Sequence, residues 1–510
     1  MESMFWWTPE QVAFQKEVRA FARSIAKEEA PTRWTREFPF EIYKKLGKTG
    51  FMGACIPKEY EGGLGLGATG ACILAEEIHS LMPGIGRFVV GNMNGGVRQV
   101  IEHGNEAQKK KYLPEIARCE LGAVVITEMT AGTDAAGLTL TAKREGDHYI
   151  LQGRKRFIVG AGVAERYLVY ALTDPSPEAI KARKHVTAFF VKKGTPGFTT
   201  EKVNDILAFE NVQNGSLDFE QVKVPIEDRL GEEGEAWQIM MGGLNFERTV
   251  IAAGTLGWQR LLLNYCYPYT QRRVQFGKPT SEQSTNQTKL ANMVSRLKVA
   301  RAALYTTAYK WDQEMDVSVE ASAMKAFGAE LTLQSAMEAT QIMGGDGVNR
   351  FYPVQNIFEV AKTEHIAGGT IEACHLTIYR SAMKELKEDI QMPRRVLDPA
   401  TGVPVPDYEP AKKVALTEDS LLKVLSDDYK VNPGLHMTIP DLQQYLEGTP
   451  EQIVAAIESL EKQGLVMVYR TKKGVQLAKA TYDGLNKAQP KEAYIWFPEW
   501  VKKDMKNRTF

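Results

Sequence analysis

The hydrophobic period of this chain changes twice, which restricts it to a mainly helical fold interrupted by a β domain. Phe14, Val18, Phe21 and Ile25 recur at steps that build one buried helix face. The start signal sits just before them: Thr8 as N-cap, Pro9 at the first helical position and Gln11 placed for a capping box. Helical patterns continue to about residue 120, then alternating, turn-rich segments run to about 230, with strand-like runs at residues 149–153, 167–171 and 186–191. Long helical patterns return from about 235 to 390, among them Leu290, Met293, Leu297, Ala300 and Leu304. The domain limits read from these changes are 1–122, 123–230 and 231–392.

Residues 393–410 hold five prolines in eighteen positions and predict a stiff, extended linker over 393–415. Beyond it, Thr449-Pro450-Glu451-Gln452 opens a second helix, ended near Gly464. Residues 465–470 and 475–477 read as a hairpin, so the extension 416–510 is expected to be a small winged-helix-like α/β unit.

The charges balance, Lys+Arg 63 against Asp+Glu 63, which removes any global electrostatic case for nucleic acid or an anionic membrane. Cysteines 55, 72, 119, 266 and 374 are scattered, without metal-ligand spacing, and read as reduced, buried side chains; no metal is expected. The first residues lack a basic, apolar leader, and no apolar run reaches the roughly 18 residues of a membrane span. A cytoplasmic protein is the expectation.

The loop Ile126-Thr-Glu-Met-Thr-Ala-Gly-Thr-Asp-Ala-Ala-Gly137 leaves an apolar strand and carries two hydroxyls, Thr127 and Thr133, beside Gly132, where backbone donors can approach a ligand. It resembles the flavin-binding signature T-E-P-x-A-G-S-D-x-x-G of the acyl-CoA dehydrogenase family, with Met129 for Pro and Thr133 for Ser. Four further segments are similar to that family in the same order: residues 57–63, 104–114, 273–277 and 341–347.

The resemblance implies an N-terminal helical domain, a middle β-barrel domain and a C-terminal four-helix bundle. It also implies FAD, an acyl-CoA thioester substrate, an electron-transferring flavoprotein as acceptor, and a homodimer or homotetramer. By resemblance, Thr127, Thr133, Phe157, Val159, Thr370 and Glu372 contact FAD. Arg273, Phe276, Gln341 and Gly345 hold its pyrophosphate and adenine from a neighbouring subunit.

Desaturation of a thioester needs a dry, close base for the α-proton. The commonest family pattern supplies it from the Glu of Y-E-G-T, where this chain has Ala367-Gly368-Gly369-Thr370. Glu247, in Gly-Leu-Asn245-Phe-Glu247-Arg248, resembles the base of the isovaleryl-CoA and long-chain subgroup. Periodicity points to the same residue, because Trp237, Met240, Leu244, Glu247, Ile251, Gly254 and Trp258 form one helical stripe in which Glu247 is the single charge. The plainer alternative is a structural Glu247 paired with the adjacent Arg248 or with another helix cation. Asn245, Arg248, Ala367, Gly368 and Gly369 are the expected substrate-side residues.

Three departures stand out. Val159 replaces the family's Thr beside the flavin, Gln283-Ser284 replaces a Phe-Gln pair, and Glu359-Val360 replaces Arg-Asp. Gly65-Leu-Gly-Ala-Thr-Gly70 satisfies G-x-G-x-x-G but follows a loop, so no dinucleotide site is expected there. His365 reads as a packing residue. Losing Tyr and Glu at 367 and 368 enlarges the pocket and favours a branched or alicyclic acyl group; a dicarboxylyl group is the alternative, because Arg87 lies near the position of a carboxylate-binding Arg in glutaryl-CoA dehydrogenases. The winged helix raises DNA association as a different class of function. Residues 411–510 carry only 15 Lys+Arg against 13 Asp+Glu, however, and helix 449–463 has Glu451, Glu458 and Glu461 against Lys462. A protein contact is the favoured reading of this extension.

Overall fold

A computed structural model describes residues 2–82, 84–87, 89, 95–207, 211–386, 395–397, 404–406 and 412–494. It divides into two compact units, Met1–Glu385 and Leu386–Phe510. Among the described residues, no helix is long and apolar enough to cross a membrane.

The first unit begins with α1 (Pro9–Thr35), and its capping box forms as its sequence dictates, Thr8 Oγ1 accepting from the Gln11 amide and Gln11 Oε1 from the Thr8 amide. Helices α2 (Phe40–Thr49), α3 (Gly67–His79), α4 (Val97–His103) and α5 (Glu106–Ala117) follow. The β domain then holds β1 (Gly122–Val125), β2 (Thr141–Glu145), β3 (His148–Val159), β4 (Arg166–Leu172), the short α6 (Pro177–Ala182), β5 (Val186–Lys192), β6 (Phe198–Val203), β7 (Asn214–Pro225) and β8 (Arg229–Leu230). These strands make one eight-stranded sheet of order β6-β7-β3-β2-β4-β5-β8, with β1 parallel to β4. One of its cores gathers Tyr149, Leu151, Tyr167, Phe189 and Phe219; a second set, including Leu168, Tyr170 and Phe190, joins the helical core.

The chain returns to helices with α7 (Ala236–Arg272), crosses a tight hairpin of β9 (Val274–Gln275) and β10 (Lys278–Pro279), and continues as α8 (Ser284–Asp312), α9 (Ser318–Met343), α10 (Pro353–Glu364) and α11 (Ile371–Leu386). Helix α7 lies very close to α3: a Cβ at Gly257 would stand 2.6 Å from the Glu76 carbonyl oxygen.

Helix α3 is buried along nearly its whole length, so its two acidic side chains need internal partners. Glu77 accepts from Arg19 at 2.7 Å, and Arg260 of α7 lies 3.0 Å from it. Glu76 meets Arg260 at 2.9 Å and Arg301 at 3.0 Å, and accepts from the Tyr305 hydroxyl at 2.7 Å. Helices α1, α3, α7 and α8 are thus joined by one buried ionic network.

The second unit contains the antiparallel pair β11 (Arg395–Leu397) and β12 (Pro404–Pro406). Within the segment expected to be an extended linker a strand pair forms, with Val405 opposite Val396 in register. The rest of residues 387–411 lies outside the described residues. Then come β13 (Val414–Ala415), α12 (Glu418–Val431), β14 (Met437–Thr438), α13 (Ile439–Tyr445), β15 (Leu446–Glu447), α14 (Pro450–Lys462), β16 (Val466–Thr471), β17 (Gly474–Ala480) and α15 (Tyr482–Ala488). Strands β14, β17 and β16 form a three-stranded sheet over a core of Leu421, Leu425, Leu442, Ile453, Ile457 and Leu460. Residues 495–510, including the aromatic run Ile495-Trp496-Phe497-Pro498-Glu499-Trp500, lie outside the described residues.

The network on α3 sets an acid limit. Burial would raise the Glu77 carboxyl, but hydrogen bonding from Arg19 and the charge of Arg260 outweigh it and bring it from 4.5 down to about 2. Its contribution is complete above the ordinary carboxylate pKa and is lost as pH falls toward 2. Replacing Glu77 by Gln, which leaves Arg19 and Arg260 underpaired, is expected to cost about 3–5 kcal/mol in denaturant unfolding at pH 7. The cost should shrink progressively below pH 4.5; an unchanged midpoint at pH 7 would contradict the network's role.

Candidate active site

Two groups of expected site residues come together in the structure, and a third stands apart. The first forms where the loop after β1 docks on β3. The ladder between β3 and β7 shifts register between Lys155 and Ile158. Within that bulge Phe157 takes φ +57°, a left-handed conformation that a bulky side chain rarely adopts. Asn214 Nδ2 holds its carbonyl at 3.0 Å; the half-exposed ring carries the Arg156 guanidinium 4.1 Å from its centroid, and Arg156 also reaches the sulfur of Met129, which is 76% exposed. The Arg156 amide donates to the Thr127 carbonyl at 2.9 Å. Thr127, Phe157 and Val159 are thus brought to one junction of loop and strand by backbone bonding, Thr133 and Gly132 lie exposed on the same loop, and a Cβ at Gly132 would meet nothing within 4 Å.

Two charged residues without an individual sequence signal hold this junction. Glu128 is buried and accepts from the Thr139 amide (2.6 Å) and hydroxyl (2.7 Å) and from the Leu140 amide (3.0 Å). Lys155 pairs with it at 2.9 Å and donates to the Ile126 carbonyl at 2.8 Å. Burial pushes the Lys155 ammonium down to about 8, with the Glu128 charge acting against that shift.

The second group joins α7 to the segment between α10 and α11. A Cβ built at Gly368 would lie 3.9 Å from Glu247 Cδ and 2.8 Å from Ile251 Cδ1. The carboxylate of Glu247 thus borders the position where the commoner family base would stand. Gly368 and Gly369 have φ +67° and +90°, so both need glycine. Arg248 does not pair with Glu247: its Nε donates to the Gly368 carbonyl at 3.2 Å, and its Nη1 reaches Ser322 Oγ at 3.1 Å and Asn245 Oδ1 at 3.4 Å. Among the described residues, the pairing with Arg248 considered for Glu247 does not form. Asn245 in turn donates to Ser318 Oγ at 3.0 Å, and Lys325 Nζ donates to the Gly369 carbonyl at 2.5 Å. Ala367 completes the half-buried segment.

Among the described residues, no hydrogen bond or ion pair reaches the Glu247 carboxylate. Burial raises its pKa; the charge of Arg87 works against this and that of Glu364 with it, followed by smaller opposing effects of Arg248 and Lys325. A carboxylate in this state is a stronger base than one in water. Thr370 caps α11, accepting from the Ala373 amide at 3.2 Å, and Glu372 is exposed on its first turn. His365 is bonded to the Ala361 carbonyl at 2.8 Å and to Glu330 at 3.1 Å.

Arg273, Phe276, Gln341 and Gly345 form the group that stands apart. Glu247 and Arg272 lie 25 positions apart on one continuous helix, a rise of about 37 Å. Phe276 is 97% exposed at the tip of the β9–β10 turn, and Arg273, Gln341 and Gly345 are exposed too. Tyr269 ties this end together, donating to the Met343 carbonyl at 3.2 Å and to Asp346 at 2.9 Å.

Three family models match the chain in order: the N-terminal domain of acyl-CoA dehydrogenase over residues 8–120, the middle domain over 123–222 and the C-terminal domain over 234–383. The chain is a flavin-dependent oxidoreductase. It belongs to the acyl-CoA dehydrogenase family. It is 37% identical over 376 residues to an acyl-CoA dehydrogenase of Bacillus subtilis (strain 168), covering 73% of this chain and 97% of that one. It is 34% identical over 379 residues to a mitochondrial isovaleryl-CoA dehydrogenase of Oryza sativa subsp. japonica, covering 74% and 91%. Among solved structures, butyryl-CoA dehydrogenase from Megasphaera elsdenii superposes with a TM-score of 0.71 at 31% identity, covering 75% of this chain and all of the other. The FAD complex of PigA gives 0.70 at 25%, covering 74% and 99%. The cofactor is FAD, and the loop after β1 has donors of the right chemistry for a phosphate-bearing group, an exposed hydroxyl at Thr133 beside the open backbone of Gly132.

Replacing Lys155 by Met leaves Glu128 buried without its cation and should cost about 3–5 kcal/mol of stability. The loop should also loosen, so that FAD elutes free of the protein on gel filtration. Full retention of FAD with an unchanged melting temperature would contradict the pinning role.

Proposed function

We propose that this protein desaturates the α,β bond of an acyl-CoA thioester carrying a branched or alicyclic acyl group, with Glu247 as the base that removes the α-proton. One observation carries the reading: the Glu247 carboxylate has no hydrogen bond or ion pair among the described residues, is only partly exposed, and borders the gap left at Gly368. A base with competing hydrogen bonds would have to break them before reacting; Glu247 has none to break. The nearby cations Arg248 and Lys325 are spent on the carbonyls of Gly368 and Gly369, so they shape the gap without quenching the base. FAD, when bound, supplies the acceptor for the hydride that leaves the β-carbon. Thr127, Phe157 and Val159 would hold its ring system, with Val159 offering no hydroxyl there. Thr133 would serve a phosphate, and Thr370 and Glu372 would lie near the cofactor.

Small residues at 367 and 368 leave room beside the reacting carbons, which favours branching over a plain linear chain. The names of the isovaleryl-CoA relatives support this choice. The distance along α7 supports a second role for oligomerisation: Arg273, Phe276, Gln341 and Gly345 lie too far from Glu247 to serve the same flavin's reacting end. They would complete the site of a neighbouring subunit in a homodimer or homotetramer. An electron-transferring flavoprotein is the proposed acceptor, and a cytoplasmic location fits this chemistry.

The element order of the second unit, three helices followed by the β16–β17 hairpin, supports a winged-helix reading. Its charges speak against DNA: Arg470 of the hairpin is consumed by Glu461 of α14. Exposed Met467, Tyr469 and Tyr482 favour a protein contact instead.

Replacing Glu247 by Gln should leave FAD bound yet slow anaerobic flavin bleaching by isovaleryl-CoA at least a hundredfold. In the wild type, the bleaching rate should climb with pH through an apparent pKa above 4.5 and fall away below it, since only the carboxylate form accepts the proton. Bleaching retained by the variant refutes the assignment; bleaching only by linear thioesters refutes the enlarged pocket. Full-length protein should bind duplex DNA no more tightly at low salt than at high salt, and a steep salt dependence would reverse the reading of the second unit.

A further inference from the structure

Helix α9 carries a polar stripe, Ser318, Ser322 and Lys325, whose helical spacing puts the three on one face. Each member holds a group next to the base. Ser318 Oγ accepts from Asn245, just before Glu247 on α7, at 3.0 Å, and Ser322 Oγ accepts from Nη1 of Arg248, just after it, at 3.1 Å. Lys325 Nζ donates to the carbonyl of Gly369 at 2.5 Å. Ser322 and Lys325 are fully buried and Arg248 nearly so. Neighbouring positions on a helix diverge by about 100°, yet the side chains of Glu247 and Arg248 converge on two consecutive glycines. A Cβ at Gly368 would lie 3.9 Å from Glu247 Cδ, and one at Gly369 would lie 3.2 Å from Arg248 Nη2. The other charged or titratable groups that act on the carboxylate are Arg87, Glu364 and Lys325, with Tyr170 of β4.

We propose that Ser322 is a positioning residue for proton removal: by accepting from the Arg248 guanidinium it keeps that cation on the Gly368 carbonyl and away from the Glu247 carboxylate. The inference rests on Glu247 as the base and adds how that base stays free. A buried guanidinium needs acceptors for its N–H donors. Here neutral oxygens serve it: the Gly368 carbonyl, Ser322 Oγ and Asn245 Oδ1. Ser318 fixes the Asn245 amide by taking its Nδ2, which leaves Oδ1 to face Arg248. A carboxylate is a stronger partner than any of these, and the one beside the same pair of glycines belongs to Glu247. Without the Ser322 oxygen, Nη1 keeps only its longer contact to Asn245, at 3.4 Å, and turning to Glu247 becomes the better arrangement. The ion pair so formed would hold the carboxylate ionised and weaken it as a base.

The pH dependence of anaerobic flavin bleaching by isovaleryl-CoA, measured on the FAD-loaded protein, tests this. Ser322→Ala should move the midpoint of the bleaching rate down by about one pH unit and lower the plateau above it, with FAD still bound. Ser322→Ala/Arg248→Met has no cation to misplace and should return the midpoint to the wild-type value or higher. Were Ser322 only a packing contact between helices, Ser322→Ala would lower the melting temperature and leave the midpoint in place. Should Ser322→Ala fail to fold, Ser322→Cys, close in size but a weak acceptor, should show the same shift. An unchanged midpoint in the single variant, or a lowered one in the double variant, would overturn the proposal. Either result, beside a Glu247→Gln variant that no longer bleaches, sinks the role of Ser322 alone. Bleaching retained by Glu247→Gln, or a wild type that no acyl-CoA bleaches, sinks the underlying reading and this inference with it.

Discussion

A half-buried carboxylate that no described residue pairs, Glu247, is the constraint around which the segment at Gly368 and Gly369 is arranged. Burial of an unpaired charge is costly, and proteins normally relieve it with a cation or a proton. Here the obvious relief, Arg248 on the following residue, is turned away to the Gly368 carbonyl, Asn245 and Ser322. Lys325 is likewise turned to Gly369. The two glycines accept these bonds only because their left-handed backbone points both carbonyls toward the cations. The same contacts that deny Glu247 a partner hold open the gap it borders. Stability lost at the base is offset elsewhere in the helical layers, where Glu76 and Glu77 are fully paired.

Much of the architecture could be read from the chain because it is local. Helix starts such as Thr8 and Thr449 declare themselves by side-chain spacing, and both capping boxes form. The hairpin expected at residues 465–477 spans Val466–Thr471 and Gly474–Ala480. Glu247 was legible as a lone charge on an apolar stripe, and its proximity to Gly368 gives that stripe a purpose.

The supporting charges were not legible, for a physical reason. Glu76, Lys155, Lys325 and Glu364 look in sequence like ordinary surface charges on helices and strands. Their burial follows from which faces of which elements meet, and no periodicity within one element contains that. The Phe157 conformation is similar: a bulge depends on two strands falling out of register, and one strand alone does not announce it. The strand pair inside the proline-rich segment went unread because proline argues against strands in general but tolerates edge positions.

The account stands or falls on proton removal by Glu247, and isotope exchange measures that step directly. A bound acyl-CoA that cannot complete hydride transfer, incubated in deuterium oxide with the FAD-loaded protein, should exchange its α-protons at a rate that grows with pH. The same incubation with Glu247→Gln should show no exchange above the uncatalysed background. Equal exchange in both proteins would contradict the account and move the base to another residue.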